Sequence, residues 1–334
     1  MTRGWVVFLL AMVCCVLWGA AFPAIKIGYS LYGISSDNLS GQIIFAGSRF
    51  FLAGVLAWII GSITYKKPLL PGKTSWGYVV VLGIFQTFLQ YFFFYVGLAH
   101  TTGVKSSIIE GTSAFVSLMV AACIFRTEHL SPKKLLGCVL GFFGVLLVNL
   151  TGSGLGGGFS LPGEGFIFFS VVAYAFSSVC IKKFSRKELP FTLSAFQFMF
   201  GGLGLVIVGK IYQSVEPHTG LYMTRGFLSK TLSNPACALI LLALAGISAI
   251  AYSLWGVLLK YNDVSRVSVF GFMTPVFGVI LSALLLQEDS GLSVGMIILA
   301  LVLVSVGTLI VQGEQGRSAD AAAETDTASA SEKA

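Results

Sequence analysis

The chain has 334 residues, of which 56% are hydrophobic and 10% charged, with a mean hydropathy of +0.88. Water-soluble domains carry about a quarter charged residues, so this composition excludes a soluble fold. At roughly 20 apolar residues per crossing of a hydrocarbon core about 30 Å thick, the length accommodates about ten helical spans and almost no extramembrane domain.

Taken in order, the first apolar run, Trp5 to Tyr29, follows Arg3 and continues past Pro23. That is too long for the apolar region of a signal peptide, so it reads as a retained span. Four more follow: Gln42 to Thr64, Ser75 to Leu98, Val104 to Phe125 and Lys134 to Leu150. The Gly-rich stretch Thr151 to Gly163 lacks the Gly-Lys-Ser/Thr ending of a phosphate-binding loop and reads as a flexible external link. Beyond it lie Glu164 to Phe184, Phe191 to Tyr212, Ala236 to Leu259, Val264 to Leu286 and Leu292 to Gln312. The tail, Gly313 to Ala334, is Ala, Ser, Glu and Asp with nothing apolar to bury, and is expected to be disordered.

The net charge of +7 has no basic run interleaved with exposed aromatics, so it points to the bilayer rather than to nucleic acid. Lysine and arginine are retained on the cytoplasmic side of a membrane. With the N-terminus inside, the inner loops hold Lys66, Lys67, Lys73, Arg126, Lys133, Lys134, Lys182, Lys183, Arg186, Lys187, Lys260 and Arg266, and the outer loops are poor in both residues. Both termini are therefore expected to be cytoplasmic, in a multi-pass protein of the plasma membrane. The six cysteines fall in or beside apolar runs and read as small apolar residues. His100, His129 and His218 have no metal-ligand spacing, so no metal is expected.

A shift of 160 residues aligns Tyr95 with Trp255, Leu98 with Leu258, Val104 with Val264, Gly111 with Gly271 and Glu128 with Glu288. Nearby shifts pair Lys26 with Lys182, Trp18 with Tyr174, and Arg49-Phe50 with Gln197-Phe198. The chain reads as one five-helix repeat over 1–150, the link 151–163, a second repeat over 164–312 and the tail 313–334. Five is odd, so the second repeat enters from the opposite side. The expected fold is an all-α membrane protein whose ten transmembrane helices form two inverted five-helix repeats. Such repeats give secondary transporters inward-open and outward-open states of similar energy around a midplane site.

Trp18-Gly19-Ala20-Ala21-Phe22-Pro23-Ala24-Ile25-Lys26, Ser48-Arg49-Phe50, and Thr274-Pro275-Val276-Phe277 running through apolar residues to Glu288 share their order and spacing with a known family. So do Phe115 to Glu128 and the following Gly137 to Val145. Over nearly the whole chain apart from the tail, these segments resemble the EamA-type transporters of the drug/metabolite transporter superfamily. The resemblance implies ten helices in two inverted halves, with a cavity lined mainly by spans one, three, four, six, eight and nine. It also implies outward movement of small metabolites, often amino acids. Two positions depart from the pattern: Phe115 stands where a proline is expected, and Glu110 is an unusual charge within its span.

An ionisable group near the bilayer centre costs roughly 2.5 to 3.5 kcal/mol on insertion scales, so Arg49 and Glu110 each ask for a reason. Both are expected roughly 10 Å deep in the outer half, where Glu110 can meet Arg49 or Lys26. The bland reading is a structural ion pair; the functional one is that Glu110 exchanges a proton or engages a substrate ammonium. Ser106, Glu110, Ser113 and Ser117 form one helical stripe, which must face protein or a cavity. Gln86, Gln90, Tyr91, Tyr95, Tyr174, Gln197, Tyr252, Trp255 and Trp18 suit a cavity for an amphiphilic solute. Their competing reading is packing or an interfacial belt. Pro23 and Pro275 break the helical ladder and are hinge candidates.

The leading expectation is a secondary carrier that exports small organic solutes, amino-acid-like or amphiphilic, by alternating access around a central cavity, with Glu110 as the coupling group. It needs a small-molecule substrate and the bilayer as partners, with no cofactor beyond a coupling proton; the oligomeric state is not fixed by sequence. A non-catalytic membrane subunit or lipid-handling protein is the alternative. An intramembrane enzyme ranks last, since the spans hold no aspartate pair, histidine cluster or activated serine.

Overall fold

A computed structural model describes residues 2–35, 37–101, 109–149, 160–215 and 223–286, together with 295, 298–299, 302–307 and 309–311. Most of the Gly-rich link, the whole tail, Ser106 and Glu288 lie outside the described residues. The helices overlap the first nine predicted runs; much of the tenth, Leu292 to Gln312, lies outside the described residues, and one helix, over Met223–Ser233, follows no predicted run. They are α1 (Gly4–Tyr32), α2 (Leu39–Thr64), α3 (Trp76–Ala99), α4 (Ser113–Ile124), α5 (Pro132–Asn149), α6 (Leu161–Phe184) and α7 (Pro190–Val215). After these come a short surface helix, α8 (Met223–Ser233), then α9 (Pro235–Tyr261) and α10 (Val264–Leu286). Among the described residues, six helices are long and apolar enough to cross a membrane, namely α1, α2, α3, α6, α7 and α9.

Local chemistry sets the ends. Asn38 accepts from the Gly41 N–H at 2.8 Å to start α2, and Asn234 accepts from the Ala236 N–H at 3.0 Å, with Pro235 at the first position of α9. Gly33, at φ 67°, closes α1 by donating its N–H to the Ser30 carbonyl. Three stretches carry one residue too many for a regular α-turn and wind as π-helix: Gly83–Leu89 within α3, Val120–Ile124 within α4 and Leu161–Gly165 at the start of α6.

The outer faces of the helices are apolar, as lipid demands, and several polar side chains are buried within an otherwise apolar core. Trp5, Leu9, Ile63, Phe143, Leu239 and Leu284 are exposed, whereas Arg49, Gln86, Gln197, Ser177 and Ser248 are buried. The two halves of the chain are interleaved. α2 lies along α7, and α1 packs against α9 and α10. Small residues set the first contact: a Cβ added at Gly54 would stand 2.5 Å from the Ala195 carbonyl oxygen, and one at Gly202 2.5 Å from the Phe51 nitrogen. The glycine patch at Gly137 is likewise filled from within the chain, by Gly307.

Candidate functional site

The site is built around Arg49, which α2 carries into the interior at 4% exposure. Its Nε and Nη2 donate to Ser248 Oγ on α9 at 3.3 and 3.2 Å, and its guanidinium carbon lies 4.7 Å from the Phe50 ring centroid. Tyr29, Tyr91, Tyr95 and Tyr252 stand within its electrostatic reach. Among the described residues, Arg49 has no carboxylate as an ion-pair partner.

Aromatic rings enclose this charge. Trp18 meets Tyr252 edge-on at 5.0 Å and Trp255 at 4.9 Å, while Tyr252 meets Phe198 at 5.0 Å. The hydroxyls of Tyr91 and Tyr252 hydrogen-bond across α3 and α9, and Tyr91 also packs 4.2 Å from Phe50. Tyr174 stands beside Trp255 and in reach of Tyr91. Among the described residues, the indole N–H of Trp18 and the Gln90 carbonyl oxygen are buried with no hydrogen-bond partner. Buried donors and acceptors are normally paired, so these two groups have hydrogen-bonding capacity to spare.

Glu110 makes no ion pair with Arg49. Its polar neighbour is Ser170 on α6, and it acts electrostatically on Tyr91. Tyr91 therefore lies in reach of both the cationic and the anionic group. The Arg49–Glu110 contact considered from sequence is not made here, because Arg49 turns toward α9 and Ser248.

The remaining sequence-predicted residues divide. Gln197 Nε2 donates to Gln86 Oε1 at 2.5 Å, which joins α7 to the π-helical part of α3, so these two amides meet each other. Lys26 is exposed, Ser117 is buried and Ser113 half-buried. Pro23 is buried within α1, which continues through it. Pro275 lacks the N–H that would bond the Gly271 carbonyl, and the residues before it, Val269–Phe272, wind as 3-10 helix. Ser248, Ser170 and Tyr29 were not singled out in the sequence. Ser248 had a legible signal, since Ser248, Tyr252 and Trp255 fall at i, i+4 and i+7 on one helical face.

The EamA-like transporter family matches residues 5–150 and again 161–311. The chain belongs to the EamA-like transporter family. It is similar to an uncharacterized transporter of Archaeoglobus fulgidus, 28% identical over 285 residues that cover 84% of this chain and 89% of the relative. It is also similar to a probable amino-acid metabolite efflux pump of Escherichia coli, 26% identical over 286 residues, 84% of this chain and 86% of the relative. A crystal structure superposes with a TM-score of 0.69 at 17% identity, covering 93% of this chain and 98% of the other, which shows a shared fold. This EamA-family protein is a multi-pass membrane transporter.

Proposed function

We propose that this EamA-family chain is a secondary carrier that exports small zwitterionic or amphiphilic metabolites, amino acids among them, from the cytoplasm by alternating access. The observation that carries the reading is Arg49: a guanidinium buried in a span, answered by a neutral hydroxyl and ringed by tyrosines. A serine oxygen orients such a charge but does not neutralise it, so a solute carboxylate gains a charge-assisted contact there. The ammonium end of the same solute then falls to Glu110 and to the faces of Tyr91 and Trp18, which attract cations. The relatives named as efflux pumps support export of amino-acid-like cargo.

In this reading the ten spans form two inverted five-helix repeats, the lysine-rich face is cytoplasmic, and the two halves rock about the Arg49 site. Glu110 is the group that exchanges a proton during the cycle. Solute counterflow in proteoliposomes, run across a set of amino acids, tests the carrier. Wild-type protein is expected to exchange at least one zwitterion, and Glu110→Gln is expected to flatten the dependence of exchange on pH. An unchanged pH profile removes Glu110 as the coupling group, and absence of counterflow by the wild-type chain favours a non-transporting subunit.

A further inference from the structure

A second charged cluster lies far from Arg49, at the lysine-rich face. Glu128, beyond the end of α4, has a side chain only 1% exposed and uses both oxygens. Oε1 accepts the N–H groups of Val264 at 2.5 Å and Ser265 at 3.3 Å. Oε2 accepts the Ser265 hydroxyl at 2.5 Å and Lys134 Nζ at 3.5 Å. Lys182, at the end of α6, lies 3.9 Å from Glu128 and 2.5 Å from Asp263. Arg266 then reaches the Thr2 carbonyl at 3.2 Å, just before α1. One carboxylate and its neighbours thus bind together the same-side ends of α1, α4, α5, α6 and α10.

We propose that this cluster is the cytoplasmic gate of the carrier, with Glu128 as the residue that latches α10 shut. The proposal rests on the carrier reading above. Three features make it a latch rather than a permanent staple. First, Glu128 caps the start of α10, where free N–H groups and the helix dipole favour an anion. The contact is strong only while those amides stay in place. Second, Glu128 and its two lysines are largely desolvated when closed and would be wet when open, while Asp263 is already half exposed. Separation without water is therefore strongly disfavoured and separation with water is tolerated, so the element has two states and few between. Third, the latched segment has a weak point directly behind it. Val269–Phe272 winds as 3-10 helix and Pro275 removes a ladder bond, so residues 264–268 can swing as a unit about that stretch. Release of Glu128 frees that unit and opens the path toward Phe270, whose carbonyl lies against Cys15 of α1 and whose ring meets Phe8.

The test is amide hydrogen exchange of the full-length protein in nanodiscs, which needs no substrate. Glu128→Gln is expected to raise exchange across residues 264–272 by at least about tenfold, since hydrogen bonds to a charged acceptor are the strong ones. Ser265→Ala and Lys182→Met, which remove single arms, are expected to raise it by a smaller factor in the same segment. They keep the question answerable if Glu128→Gln does not fold. Glu188→Gln is the control, because Glu188 on the same face accepts the Gly72 N–H at 3.1 Å and has no part in the cluster. Exchange at 264–272 within twofold of wild type in all three variants, or equal loosening by Glu188→Gln, overturns the latch. Loosening confined to the latch variants in a chain that shows no counterflow supports the latch and overturns the carrier.

Discussion

Arg49 is answered by Ser248 rather than by a carboxylate, and that choice of partner has measurable consequences. A serine oxygen holds the guanidinium plane through Nε and Nη2 together, a fork that an ammonium cannot reproduce. Arg49→Lys therefore keeps the charge and loses the geometry. Counterflow of a zwitterion is expected to fall at least tenfold, about 1.5 to 3 kcal/mol for a hydrogen bond to a charged group, with the unfolding temperature in detergent little changed. Ser248→Ala leaves the charge in place without its orienting oxygen, and about fivefold weaker apparent affinity is expected from a bond of about 1 kcal/mol. If both variants transport like wild type, the Arg49 site is structural. At this scale the sequence was informative about Arg49, Trp18, Tyr91, Tyr252 and Trp255, because a charge or a polar-tipped ring in an apolar run is conspicuous. It was silent on which group faces Arg49, since that contact joins residues 199 apart in the chain.

The helices other than α8 were legible from their apolar runs, and Pro235, Asn234 and Gly33 mark their ends by ordinary capping chemistry. What the runs concealed is winding. Gln86 and Gln90 lie four apart and would share a face on a regular α-helix. The π-helical stretch Gly83–Leu89 shifts that register, and Gln86 pairs with Gln197 on α7 while the Gln90 oxygen has no partner among the described residues. Periodicity counted across an inserted residue misassigns everything on one side of it. Glycines give a second test at this scale. Gly54→Ala pushes a methyl within 2.5 Å of the Ala195 carbonyl, and α2 and α7 must part to admit it. Overpacking of this kind costs about 1 to 3 kcal/mol, read as a lowered unfolding temperature. Gly246→Ala on α9 meets nothing within 4 Å, and is expected to be neutral or to gain about 0.5 to 1 kcal/mol from helix propensity. Equal behaviour of the two would show that α2 and α7 do not pack as described.

For the molecule as a whole, membership of the EamA-like family over two long segments fits the internal repeat read from Glu128, Glu288 and their neighbours. The shift of 160 residues was visible because glutamates closing apolar runs are rare. The capping of α10 by Glu128 was not visible, because nothing in a sequence says that the end of one span meets the start of another 136 residues later. The excess of lysine and arginine in alternate loops predicts that reporters fused to the two chain ends read the same compartment, the cytoplasm. Reporters that disagree would rule out an even number of crossings.

The close seating of α2 on α7, and of α1 on α9 and α10, has a further consequence for how the protein could be assembled. These contacts are made by helices on either side of residues 150–159. Two polypeptides translated from separate reading frames, one ending after Asn149 and the other beginning before Ser160, are therefore expected to find each other in the bilayer. They should co-purify through a tag on either one and restore exchange activity that neither has alone. Fragments that stay apart would mean that joint synthesis, rather than surface fit, brings the halves into register.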